Sequence, residues 1–177
     1  MGMNRSALRI SLVAITTALV CVFTSVVKLP TPTGGYINLS DAAITFVAYS
    51  FGPITGMIAG GLGTALADAL GGYMQYAPIS LVVHGLEAFV LAMICRLATK
   101  DMGKGRSLMI RILAGVAAML IVAGGYWLLA GGFLIGFGPA ATEIPANLIQ
   151  GGVGAVFGLV ISEAVRACYR KIDDIRW

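Results

Sequence analysis

His84 and Glu87 stand three residues apart in an apolar segment, and Glu143, Asn147 and Gln150 recur at intervals of four and three in another. On a helix each set shares one face, so each run presents a line of ionisable and amide groups from an otherwise greasy surface. Asp41 and Asp68 add two carboxyls, and Asn38 and Gln75 two amides, close to helix ends. Such groups are costly at membrane depth and mark pathways or ligand sites by default. The chemistry they support is hydrogen bonding to a polar or cationic ligand; the competing use is a self-sufficient small channel or proton-coupled carrier with Glu143, His84 and Glu87 as its relay. Simpler roles exist for some of them. Asp41 follows Ser40 and fits a helix N-cap or first-turn acid, Asp68 fits a helix cap or bridge, and Tyr73, Tyr76, Tyr126 and Trp127 fit an interfacial aromatic belt as well as a stacking platform for a flat ring.

The elements that carry these groups follow from composition. Of 177 residues, 58% are hydrophobic and 11% charged, against roughly 25% charged in a soluble domain, and the mean hydropathy is +0.91. Lipid is the natural solvent for such a chain. Six helices of ~20 residues use about 120 positions and leave no room for a soluble domain. The apolar runs predict spans over about Leu8–Val27, Asp41–Phe51, Ile54–Leu70, Ile79–Ala98, Leu108–Ala130 and Glu143–Val165, with Gly52-Pro53 breaking the second from the third and loops at 71–78 and 131–142. The expected architecture is an all-α integral membrane protein, one six-helix transmembrane domain over residues 1–177.

With the N-terminus inside, 11 of the 12 basic residues fall on the cytoplasmic side and Lys28 alone lies outside, as the positive-inside bias requires. Both termini are then cytoplasmic, and the polar groups cluster in the outer half of the bilayer. Arg5 and Arg9 before an apolar run resemble a signal peptide, but no small-residue cleavage site follows. Three outer loops repeat a pattern, Gly34-Gly35-Tyr36, Gly71-Gly72-Tyr73 and Gly131-Gly132-Phe133, which predicts hairpin turns that converge. Small residues line the helices: Gly56, Gly60 and Thr64 lead to Asp68, and Gly154 pairs with Gly158, the spacing that lets helices approach closely in lipid. Ala14 and Ala18 form a similar pair on an otherwise bulky first helix and predict an external helix partner. The three cysteines, Cys21, Cys95 and Cys168, read as buried thiols.

One histidine excludes a multi-histidine metal site, and the chain has no HExxH, GxSxG or Walker-type loop. An intramembrane enzyme has little support, no cofactor or metal is expected, and nothing points to nucleic acid. A chain this short is also small for a carrier with paired inverted halves.

These residues resemble a known family. The Gly-rich six-span plan with Ala14 and Ala18 is similar to the substrate-binding S component of energy-coupling factor (ECF) transporters. The segments from Gly35 to Asp41, Phe51-Gly52-Pro53, Gly60-Gly61-Leu62-Gly63 with Ala67-Asp68, Gly71-Gly72-Tyr73 and Gly85-Leu86-Glu87 resemble its hydroxymethylpyrimidine, vitamin B6 and riboflavin branch. The likeness covers essentially the whole chain and is strongest through the first four helices. It implies a vitamin or precursor bound from outside under the loop from Lys28 to Ser40, and docking through Ala14 and Ala18 onto a membrane coupling protein (T component) driven by two ABC-type ATPases in a prokaryotic cell membrane. The acidic pocket argues against an anionic ligand, because Asp68, Glu87 and Glu143 repel it. A vitamin B6 vitamer or hydroxymethylpyrimidine is therefore the expected substrate, with riboflavin or another vitamin as alternatives.

Overall fold

A computed structural model describes residues 5–98, 102–169 and 172. Seven helices dominate. They are α1 (Arg5–Val26), α2 (Ser40–Phe51), α3 (Pro53–Leu70), α4 (Ala77–Cys95), α5 (Lys104–Ala130), α6 (Phe137–Thr142) and α7 (Ile144–Cys168). Strands β1 (Leu29–Pro30) and β2 (Tyr36–Ile37) pair antiparallel between α1 and α2. The helices α1, α4, α5 and α7 are long and apolar enough to cross a membrane. The 12 residues of α2 cover only ~18 Å at 1.5 Å per residue, short of the ~30 Å hydrocarbon core.

The short helix is the centre of the molecule. Every residue of α2 except Phe46 is buried, and it packs against α7, α3, α4 and α1. It stops at Gly52, whose φ of 97° is costly for any residue with a Cβ. Pro53 then opens α3, where its missing N–H has no helical partner to lose.

Absent side chains let the neighbours close in. A Cβ on Gly60 would lie 2.9 Å from the His84 carbonyl oxygen, and one on Gly63 would lie 2.7 Å from Val20 Cβ, so α3 touches both α4 and α1. On α7, Gly154 faces the Asp41 side chain and the Ala42 backbone, and Gly158 faces Thr45. The small-residue stripes read from the sequence on α3 and α7 are therefore the helix contacts of the bundle.

Four expectations are corrected. The predicted loop at 131–142 is helical: α5 passes into a π-helical turn, Gly131–Ile135, and α6 follows after Gly136 at φ 84°. Backbone at membrane depth must satisfy its own hydrogen bonds, and glycines do not prevent that. Phe133 of the third Gly-Gly-aromatic segment is 80% exposed, whereas Tyr36 and Tyr73 of the first two stack with ring centroids 4.6 Å apart; two of the three turns converge. The fourth span ends at Cys95 rather than Ala98, in a turn at Arg96 and Leu97. Of the cysteines, only Cys95 is buried; Cys168, at the charged end of α7, is exposed. The basic residues Lys100, Arg170, Lys171 and Arg176 lie outside the described residues.

Candidate functional site

A polar cavity sits where α3, α4, α5 and α7 end beneath the β1–β2 hairpin. Asn38, Asp68, Tyr76, His84, Glu143, Asn147 and Gln150 line it, joined by Thr31, Tyr36, Ser80 and Tyr126. Helical spacing explains the wall. Ser80 precedes His84 by four residues on α4, and Asn147 precedes Gln150 by three on α7, so each pair shares a face.

A hydrogen-bonded chain with a direction runs along one side of the cavity. The Tyr36 hydroxyl donates to Asp68 Oδ1 (2.5 Å), and the Ser80 hydroxyl donates to Asp68 Oδ2 (2.5 Å). With its proton spent on Asp68, Ser80 accepts from the Tyr126 hydroxyl at 2.6 Å. Burial, reinforced by the Asp68 carboxylate, raises the Tyr36 hydroxyl far above the ordinary tyrosine range, which keeps it a donor. The Tyr126 ring meets the edge of His84 at 5.7 Å.

Behind this wall lies a second layer. His84 Nδ1 is bonded to Glu87 Oε2 at 2.7 Å, which leaves Nε2 as the ring nitrogen free to meet a ligand. Asp41 accepts from Gln150 Nε2 (2.5 Å), and Gln150 Oε1 accepts from the Asn38 backbone N–H (2.7 Å). Asp41 and Glu87 are 1% exposed and do not line the cavity. They orient His84 and Gln150 from behind. Asp41, His84 and Glu87 each offer a ligand atom within 4.8 Å of one another, but Nδ1 of the one imidazole is already engaged with Glu87.

The hairpin closes the top. Thr31 Oγ1 donates to Glu143 Oε1 (2.7 Å), and Lys28 Nζ lies 4.6 Å from the Tyr36 ring centroid and 5.3 Å from that of Tyr73, a cation–π arrangement, while donating to the Ala67 carbonyl at 3.4 Å. Gly34, at φ 85°, makes the turn that allows the hairpin to fold back. The space left is about 30 Å³, room for one or two waters and not for a heterocyclic ring.

Of the residues picked from sequence, Asn38, Asp68, Tyr76, His84, Glu143, Asn147 and Gln150 are brought together, Asp41 and Glu87 stand behind them, and Tyr73 supports the hairpin. Gln75 is exposed in the α3–α4 turn. Trp127 is 39% exposed and stacks on Phe137 at 5.4 Å, outside the cavity. Sequence reasoning missed Thr31, Tyr36 and Ser80. Ser80 had a signal, its place one turn before His84; Thr31 had none, because its partner is 112 residues away.

The profile of a family described as ECF-type riboflavin transporter, S component, matches residues 4–167. The chain belongs to that S component family. A protein of Pyrococcus woesei described as an uncharacterised protein in the gap 3′ region is 36% identical over 140 residues, 78% of this chain and 88% of its own length. The thiamine precursor transporter HmpT of Lactococcus lactis subsp. cremoris (strain MG1363) is 29% identical over 164 residues, 92% of this chain and 90% of its own. As an S component the chain is a transmembrane, vitamin-type substrate-binding subunit of a transporter and not an enzyme. S components work with a T component and ATPases. Its four long apolar helices fit a multi-pass membrane protein.

Proposed function

We propose that this S component binds a small protonatable nitrogen heterocycle, hydroxymethylpyrimidine or a vitamin B6 vitamer, and passes it to the cytoplasm through an ECF-type importer in a prokaryotic cell membrane. The observation that carries this is the character of the groups meeting beneath the hairpin. Asp68 and Glu143 are acceptors, and each is capped by a hydroxyl donor from the hairpin, Tyr36 and Thr31. When the segment from Lys28 to Ser40 lifts, two carboxylates turn to the incoming ligand. N–H groups and a positive ring replace those donors; a phosphate or dicarboxylate is repelled. A relative that transports a thiamine precursor supports the same choice, and riboflavin is the alternative within the family.

In this reading residues 1–177 form one membrane domain. The α2–α3 hairpin completes six crossings, sheltered from lipid by its neighbours, and both termini lie in the cytoplasm. Native mass spectrometry of the full chain tests the substrate. Protein incubated with equimolar hydroxymethylpyrimidine, pyridoxine and riboflavin is expected to retain one of the first two; retention of riboflavin alone would overturn the assignment.

Ala14 and Ala18 are exposed on α1, so the T component, carrying two ATPases, docks there without disturbing the bundle. Leucine at both positions should leave ligand binding within about twofold of wild type, since exposed substitutions cost little, while ATP-driven uptake is lost. A parallel loss of binding would mean that these alanines only pack the fold.

A further inference from the structure

Between α5 and α7 lies an apolar groove of about 160 Å³, lined by Gly115, Met119, Gly152, Ala155 and Leu159, with Arg111 at one end. Exposed Ile112, Val116 and Val156 form its rims. From Arg111 to Met119 the groove runs ~12 Å along α5, close to the ~15 Å depth of one leaflet's hydrocarbon. It therefore has the length of one acyl chain in one leaflet, with a guanidinium where the headgroup begins.

The basic end is built and held. The Arg111 and Arg166 guanidiniums flank the Tyr49 ring at 4.8 and 4.2 Å from its centroid. Arg111 Nη1 is bonded to Glu163 at 2.5 Å, Arg166 Nη1 lies 3.6 Å from the same carboxylate, and Arg166 Nη2 donates to the Tyr49 carbonyl at 2.8 Å. Arg111 and Arg166 thus both meet the Glu163 carboxylate. Among the described residues, Arg111 Nε, shut off from solvent, has no hydrogen-bond partner. Exposed Lys104 stands seven residues before Arg111, two turns along the same face of α5, and extends the positive stripe to the helix end.

We propose that this groove binds an anionic phospholipid, one acyl chain lying between α5 and α7 and the phosphate held by Arg111 and Lys104. Basic pockets between transmembrane helices favour anionic headgroups, each Lys or Arg contributing about fivefold. The site is separate from the vitamin cavity and does not depend on which ligand that cavity takes.

The full chain, stripped of lipid in detergent, is titrated with an equimolar mixture of phosphatidylglycerol and phosphatidylcholine of the same acyl chains and read by native mass spectrometry. Wild type is expected to prefer phosphatidylglycerol by about 25-fold, fivefold for each of two basic residues. Arg111→Gln should lower the preference to about fivefold, and Arg111→Gln with Lys104→Gln to parity. Gly152→Leu, which fills the groove toward Met119 and leaves the arginine cluster in place, should reduce binding of both lipids. Equal binding of the two lipids by wild type overturns the proposal, as does an undiminished preference in the double variant or unchanged lipid binding in Gly152→Leu.

Discussion

Glu87→Ala is expected to weaken binding of the proposed ligand, hydroxymethylpyrimidine, by about 5- to 150-fold, although Glu87 does not line the cavity. Its carboxyl group fixes His84 through Nδ1 at 2.7 Å, and both residues are 1% exposed. Removing one partner of a buried hydrogen bond costs about 1–3 kcal/mol, and a freed imidazole also loses the tautomer that presents Nε2 to the ligand. Glu87→Gln retains an acceptor oxygen at the same place and should lose less. Calorimetric titration of the three proteins, with circular dichroism to verify helix content, separates a positioning effect from unfolding. Gln75→Ala and Trp127→Ala, outside the cavity, should titrate like wild type. An unaltered affinity in Glu87→Ala would remove His84 from the site.

The second large effect is on the fold. Gly154→Leu drives a side chain into Asp41 and the backbone of α2, where even a Cβ finds the Ala42 nitrogen at 2.9 Å. Overpacking typically costs about 1–3 kcal/mol when a side chain can shift; backbone shifts less easily, so the upper end of that range is expected. At ~2–4 °C per kcal/mol for a chain of this size, Tm should fall by roughly 6–12 °C. Ligand binding should fall with it, because α7 can no longer hold Gln150 on Asp41. Gly152→Ala, two residues away, places its Cβ 3.5 Å from Met119 Sδ, an ordinary contact, and should melt close to wild type. Equal melting of the two variants would show that α2 and α7 are free to separate.

Local periodicity carried the sequence reading a long way. The stripes on α3 and α7 became helix contacts, and the polar faces of α4 and α7 became two walls of one cavity, because a helical face is fixed by spacing alone. Depth within a wall is not. His84 and Glu87 share a face, yet only the packing of α2 against α4 and α7 decides that His84 meets the cavity and Glu87 stands behind it. The short α2 read as one of six spans; its place at the centre depends on what four other helices bury against it. Thr31 and Tyr36 belong to a hairpin that acts across the fold, so their roles follow from tertiary contacts that no local pattern records. Gln75 is the same residue type as Gln150, and Trp127 is an aromatic beside Tyr126; only the turn at 71–76 and the contact with Phe137 place them elsewhere.

If the ligand binds as proposed, the hairpin hydroxyls on Asp68 and Glu143 are a tethered competitor for it. Their effective concentration is set by chain connectivity and does not fall with dilution. If the covered arrangement outweighs the open one 99 to 1, observed affinity is about 100-fold weaker than that of the bare site. Loosening the hairpin by Tyr36→Phe or Thr31→Val then tightens equilibrium binding, the reverse of what deleting a ligand contact does. In the transport cycle proposed above, the same competition would act again at the inner face: hydroxyls that return to the carboxylates would displace the ligand and oppose its rebinding.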